Sequence, residues 1–459
     1  MSDVPLTPIM TTPPSQRGLL ILAADIAIFI VLLMVLPFET KTNIGLGLLV
    51  FIAVLWLTEA IHVTLTALLI PVLAVSMGIL DGKKALAQFA DPVIFLFFGG
   101  FALATALHIQ QLDRLIANRI LTMAKGKLSV ACVLLFSITG GLSMWISNTA
   151  TAAMMLPLVM GILSKLDREK EHNTYTFMLL GVAYSASIGG LGTLVGSPPN
   201  AIAAANLGLD FWGWMKIGLP MMVVLMPLMM LVLYLVFKPN LNQRFDTKFE
   251  HIELNRSRII ALCIFGLTVF CWIFSSKISA MLGGVKQFDS MVAIGAAILI
   301  GISGVASWKQ IQENTEWGVL MLFGGGLTLS TILKESDASL VMAQGVASMF
   351  GGGHWFIIIL AVTVFIIFLT EFTSNTASAA LLVPIFATVA EALGMPSVVL
   401  VLVIGIGASC AFMLPVATPP NAIVYGTGEI RQSEMIKAGM WLNLVCVIII
   451  PLFAWFLWS

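Results

Sequence analysis

The sequence predicts an all-α polytopic membrane protein of about 11 transmembrane helices, built as two inverted-topology repeats, each with a re-entrant hairpin and a broken helix. Composition is the first observation behind this: 59% of the 459 residues are hydrophobic, 10% are charged, and the mean hydropathy is +1.02. Spacing is the second. Uncharged runs at 217–237, 259–276, 317–333 and 438–459 approach the ~20 residues a helix needs to cross a bilayer. The third is a pair of short polar motifs that recurs at matching places inside such runs. The alternating pattern of an outer-membrane barrel is absent.

Residues 1–16 are polar and Pro-rich, as expected of a tail. The apolar run at 19–38 has no small-residue cleavage site after it, so it reads as a retained span and not as a signal peptide. Tail and extra first span make up 1–42. Repeat 1 is 43–237. Its scaffold spans occupy 43–127: spans near 43–58, 62–80 and 90–108, then an interfacial arm at 109–127 carrying Arg114, Arg119, Lys125 and Lys127. The stretch 128–164 holds 37 residues without a charge, too long for one span. Its flanks are basic on both sides (Lys125 and Lys127; Lys165, Arg168 and Lys170), which puts both ends on one side of the membrane. It is either two full crossings or a re-entrant hairpin with Ser147-Asn148-Thr149 at its tip. A broken span at 173–207 and a span at 216–237 follow. A charged cytoplasmic linker, 238–258, separates the halves.

Repeat 2, 259–459, follows the same order. Scaffold spans occupy 259–352 (259–276, 288–307, 317–333 and an arm at 335–352). The hairpin is 355–390, the broken span 397–428 and the last span 433–458. An odd number of crossings per repeat inverts the second half relative to the first. Charge supports the topology. With the N-terminus cytoplasmic and the C-terminus outside, the inside segments hold all of the 23 Lys and Arg except Lys41, Lys83, Lys84, Lys216, Lys277, Lys286 and Lys334.

The motifs carry the functional signal. Residues 147–159 read SNTATAAMMLPLV and residues 374–386 read SNTASAALLVPIF. Each is followed by a helix-breaking segment, Gly196-Ser197-Pro198-Pro199-Asn200 in the first half and Ala417-Thr418-Pro419-Pro420-Asn421 in the second. Phe98-Gly99-Gly100 likewise matches Phe323-Gly324-Gly325, as a pair of close helix contacts. One SNT triplet alone would read as ordinary helix packing. Two, each with its Pro-Pro-Asn break, point to a transport site between repeats.

Around the triplets, Ser143, Ser147, Asn148, Thr149 and Thr151 in the first half and Thr370, Thr373, Ser374, Asn375, Thr376 and Ser378 in the second supply hydroxyls and amides. Proline breaks free backbone carbonyls, which suit a hard cation such as Na⁺. Helix starts just after each break are expected to offer free N–H groups to a carboxylate. No Lys or Arg lies in these motifs, so bound Na⁺ is the sensible counter-charge for an anion.

Several other functions lack support. Net charge is zero, which gives no electrostatic case for nucleic acid. The five cysteines lie singly in apolar segments, without metal-type spacing. No HExxH or GxSxG motif suggests an intramembrane enzyme, and a channel would want a continuous polar path. Among the membrane-region acids Asp25, Glu59, Asp91 and Glu371, a structural role is favoured over proton relay, and Glu371 is the best placed for function.

The paired SNT motifs with their Pro-Pro-Asn breaks resemble the divalent anion/Na⁺ symporter family, the INDY-type dicarboxylate transporters, over nearly the whole chain after residue 18. The resemblance implies a bacterial inner-membrane homodimer that carries C4-dicarboxylates such as succinate, malate and fumarate into the cell. Each protomer would have a scaffold and a transport domain that moves like an elevator, with hairpins entering from opposite sides. By the same resemblance, one Na⁺ site would use Ser143, Ser147, Asn148 and Gly196. The other would use Thr370, Thr373, Asn375 and Ala417. Substrate carboxylates would meet Asn148, Thr149, Asn375 and Thr376, with Ser197, Pro198, Thr418 and Pro419 lining the rest. An exchanger of the same fold, or a carrier of sulfate or another divalent anion, is the alternative.

Overall fold

The computed structural model describes residues 16–168, 170–245, 252–350 and 354–458. The expected tail at 1–15, the middle of the linker at 246–251 and the end of the second arm at 351–352 lie outside the described residues. Regular structure among the described residues is helical, apart from one isolated bridge between Lys127 and Arg244. Nine of the described helices are long and apolar enough to cross a membrane, which makes the chain an all-α multi-pass membrane protein. The first of them, Gln16–Val35, lies mostly outside the core and buries only Gly18 and Asp25.

Three of the four helices that surround the SNT triplets are too short to be among these nine, and the fourth, Asn375–Ala392, is at the lower limit. Leu128–Ser143, Asn148–Leu163 and Trp355–Thr370 have 16 residues each, and Asn375–Ala392 has 18. A 16-residue helix is about 24 Å long, less than the ~30 Å hydrocarbon core. Turns of four residues separate each pair, at 144–147 and 371–374.

Both Phe-Gly-Gly motifs sit where helices touch. A Cβ on Gly99 would lie 2.5 Å from the Ala293 side chain, on helix Phe288–Ser303. A Cβ on Gly325 would lie 2.7 Å from Ala67, on helix Val63–Ser76. The ring of Phe323, from the second motif, meets that of Phe97, the residue before the first, edge-to-face at 5.0 Å.

Some elements depart from the expected parse. The span expected at 216–237 is helix Phe211–Phe237, because the Asp210 carboxylate caps it by accepting from Gly213 N at 2.7 Å. Lys216 is therefore helical, and its ammonium lies 5.7 Å from the Trp212 ring. Short helices at Gly82–Ala87, Ser275–Met281 and Trp308–Asn314 are additional. The last of these begins in a capping box between Ser307 and Gln310.

Candidate functional site

Each SNT triplet starts a helix. Ser147 and Ser374 are N-caps, and their hydroxyls accept from Ala150 N at 3.3 Å and Ala377 N at 3.4 Å. Asn148 and Asn375 are the first helical residues. The residue five positions back orients each amide: Ser143 Oγ lies 2.6 Å from Asn148 Oδ1, and Thr370 Oγ1 lies 2.6 Å from Asn375 Oδ1. Each hydroxyl also reaches a backbone carbonyl, Ala186 O at 2.7 Å and Ala408 O at 2.8 Å. One proton thus faces two acceptors. Three oxygens crowded around a single proton form an environment that fits a small hard cation.

The breaks are also built alike. Helix His172–Gly189 passes through a tight turn at Gly190–Gly192 before Pro198–Leu207 begins. Helix Ser397–Gly407 unwinds before Pro419–Tyr425. A fully buried Asn staples each: Asn200 Nδ2 donates to Gly190 O at 2.8 Å and Thr193 O at 2.7 Å, and Asn421 Nδ2 donates to Ala411 O at 3.2 Å and Leu414 O at 3.0 Å. Gly190 must be glycine for this close approach, since a Cβ there would lie 2.5 Å from Asn148 Oδ1 and 3.0 Å from Gly196 O.

One expectation is corrected here. The helix starts after the breaks do not offer free N–H groups. Their first two residues are prolines, Asn200 N donates to Ser197 O at 3.1 Å, and Asn421 N donates to Thr418 Oγ1 at 3.4 Å.

Both triplets and both breaks meet around one cavity of about 450 Å³. Of the residues singled out in the sequence, Ser147, Asn148, Thr149, Gly196, Ser197 and Pro198 line it from the first half. Thr373, Asn375, Thr376, Ala417, Thr418 and Pro419 line it from the second. Ser143 and Thr370 do not: both are fully buried behind the asparagines. The Thr373 hydroxyl is engaged within its own turn, with Leu369 O at 2.9 Å and Ser378 Oγ at 2.8 Å. Ser197 Oγ lies 3.3 Å from Ser409 Oγ, which ties the two halves together.

Glu59, Glu316, Phe97, Phe101, Phe372 and Val416 also line the cavity. Of these, only Glu59 was weighed from sequence, as an acid near a span end. No Lys, Arg or His is among the lining residues. Asp91 lines a separate cavity of about 390 Å³ with Asp210 and Asp289.

Comparison with known proteins agrees with this architecture. The family model described as "Sodium:sulfate symporter transmembrane region" matches residues 16–459. An uncharacterized transporter of Haemophilus influenzae is 62% identical over 98% of this chain and 99% of its own length. The sodium-dependent dicarboxylate transporter SdcS of Staphylococcus saprophyticus is 34% identical over 90% of this chain and 85% of its own. Among solved structures, the Alcanivorax borkumensis YdaH transporter matches with a TM-score of 0.57 at 14% identity, over 82% of this chain and 90% of that one. That likeness is one of fold.

Proposed function

The chain belongs to the sodium:sulfate symporter transmembrane-region family of transporters, and on that premise we propose that it is a Na⁺-coupled symporter of C4-dicarboxylates. The observation that carries this reading is the central cavity. It is lined by amide, hydroxyl and backbone groups from both motifs, and its ionisable lining residues are Glu59 and Glu316. A dianion entering alone would meet carboxylates and no cationic side chain. Two Na⁺ ions, one near Asn148 and one near Asn375, supply the missing charge.

The roles follow from position. Ser143, Ser147, Asn148 and Gly196 form one cation site, and Thr370, Thr373, Asn375 and Ala417 form the other. Thr373 acts there through its carbonyl, because its hydroxyl is occupied. The asparagines serve ion and anion together: Oδ1 faces the cation and Nδ2 can donate to a carboxylate. Thr149 and Thr376 add donors, and Ser197, Pro198, Thr418 and Pro419 shape the walls. Because ion and anion stabilise each other, the coupling is reciprocal.

In this reading the short helix pairs around the triplets are re-entrant hairpins from opposite sides, in two inverted repeats. The repeats make eleven crossings, with the N-terminus cytoplasmic and the C-terminus outside. The motif-bearing elements move as an elevator against a scaffold that also forms a homodimer. The SdcS relatives, named as sodium-dependent dicarboxylate transporters, support the substrate and the ion.

Radiolabelled succinate uptake into proteoliposomes, with an inward Na⁺ gradient or K⁺ in its place, tests the proposal. Uptake that requires Na⁺ and responds to membrane potential is the expected result. Uptake indifferent to Na⁺ but dependent on internal dicarboxylate would make the protein an exchanger. Competition by sulfate and not by malate or fumarate would reassign the substrate.

A further inference from the structure

We infer that Glu371 is a positioning residue for the second cation site, an inference that rests on the Na⁺-coupled reading above. Glu371 caps the end of helix Trp355–Thr370, directly after Thr370, and its side chain is fully buried. Oε1 accepts from Phe412 N at 2.7 Å, Met413 N at 3.0 Å and Asn443 Nδ2 at 2.7 Å. Oε2 accepts from Met413 N at 3.0 Å and Leu414 N at 3.2 Å. Three consecutive backbone donors and one amide thus converge on one carboxylate, in the manner of an anion nest.

The stretch that it grips is the unwound segment between Ser397–Gly407 and Pro419–Tyr425. Unwinding removes the carbonyl acceptors that a helix would give these N–H groups, and Pro415 prevents a further helical turn there. The carboxylate replaces those acceptors. Tyr184, from the first half, holds the same stretch through its hydroxyl, 2.6 Å from Phe412 O. Glu371 therefore locks the tip that carries Thr370 and Asn375 to the segment that leads into Ala417 and Thr418. Those are the two pieces of chain whose oxygens must converge for a cation to bind.

The first half solves the same problem without a carboxylate. At the matching place stands Met144, whose backbone carbonyl accepts from the Thr193 hydroxyl, and Gly190–Gly192 closes as a tight turn. The second site alone depends on an ionisable staple. A change at Glu371 should therefore act on one of the two cation sites.

The test is a Na⁺ titration of succinate uptake by wild type, Glu371→Gln and Glu371→Asp, with Na⁺-dependent thermal stabilisation of the purified proteins as a second readout. In Glu371→Gln one acceptor oxygen becomes an NH₂ group facing backbone donors. Half-saturating Na⁺ is expected to rise about fivefold or more, the Na⁺ dependence to become less sigmoidal, and the succinate KM at saturating Na⁺ to stay near wild type. Glu371→Asp keeps both acceptors and should recover part of the Na⁺ affinity. Should Glu371→Gln not fold, Asn443→Leu takes its place, with a smaller shift in the same direction. Unchanged Na⁺ affinity in Glu371→Gln or Asn443→Leu, or equal losses for Na⁺ and succinate, overturns the positioning role while leaving the symporter reading intact. A wild type whose uptake and melting temperature both ignore Na⁺ overturns the symporter reading, and this role with it.

Discussion

The Ser143 hydroxyl lies 2.6 Å from the Asn148 amide oxygen, and its one proton is shared between that oxygen and Ala186 O at 2.7 Å. Thr370 and Asn375 repeat the relationship in the second half, with Ala408 O as the third oxygen. Two buried hydroxyls stand in matching environments, each behind the asparagine that faces the cavity, and the proposed function assigns them to the ion rather than to the substrate. Ser143→Ala and Thr370→Val should each raise half-saturating Na⁺ about three- to tenfold, the worth of one hydrogen-bonding group of ~0.5–1.5 kcal/mol. A Na⁺ titration of uptake measures this. A larger effect on succinate KM than on Na⁺ would place these hydroxyls at the substrate instead.

The proposed function gives Asn148 and Asn375 a part in binding both ligands, so removing either amide should be more severe. Asn148→Ala or Asn375→Ala should abolish coupled uptake while the protein still elutes as a monodisperse species. Normal transport by either variant would sink the site assignment. Thr149→Ala and Thr376→Ala, which remove donors on the cavity side only, should raise the succinate KM by about two- to tenfold and move Na⁺ affinity less. Paired titrations of succinate and Na⁺ separate the two.

Much of this was legible in the sequence, for a physical reason. SNTATAA and SNTASAA are nearly the same string, and like strings in like surroundings fold alike. The caps at Ser147 and Ser374 and the amide contacts of Asn148 and Asn375 agree within a few tenths of an ångström. Ser143 and Thr370 were singled out in the sequence as nearby hydroxyls and through the family resemblance; their contacts with the asparagines emerge only from the structure, since Ser-Met-Trp-Ile and Thr-Glu-Phe-Thr are not alike. What was not legible depends on long-range packing. The donors to Glu371 lie 41 to 72 residues away, and Tyr184 reaches Phe412 across 228. Glu316 and Phe97 line the cavity only because other helices bring them there. The Pro-Pro starts misled in the other direction: they mark helix N-termini, but two prolines remove the very N–H groups such ends ordinarily present.

Asn200 illustrates a residue whose loss should read as instability. It is fully buried, and its Nδ2 satisfies Gly190 O and Thr193 O at 2.8 and 2.7 Å. Asn200→Ala leaves both carbonyls without that donor and should cost about 1–3 kcal/mol. Asn200→Asp should cost more, because an acceptor then faces two acceptors. Thermal unfolding in detergent, followed by intrinsic fluorescence, should rank wild type above Asn200→Ala above Asn200→Asp. The reverse order of the two variants would show that the amide is not acting as a donor.

Gly100 tests whether the break moves. It lies on helix Pro92–Ile109, and a Cβ there would meet Val195 Cγ1 at 2.8 Å and Cβ at 3.0 Å. Val195 immediately precedes the first break. Phe97 and Val195 line the central cavity, whereas Leu96 and Leu194 line the second cavity of about 390 Å³. The contact thus falls where one layer of side chains divides two cavities. Filling it should cost about 1–3 kcal/mol by overpacking. That cost applies to the arrangement seen here and not to one in which Val195 has moved past the helix. Gly100→Val should therefore bias the carrier toward its other state. The maximal uptake rate should fall about tenfold or more, at roughly 1.4 kcal/mol per factor of ten, with smaller changes in half-saturating succinate and Na⁺. Gly141→Ala, where a Cβ meets nothing within 4 Å, is the control expected to transport normally. A Gly100→Val variant with an unchanged rate would mean that this contact is not a surface across which the transporter slides.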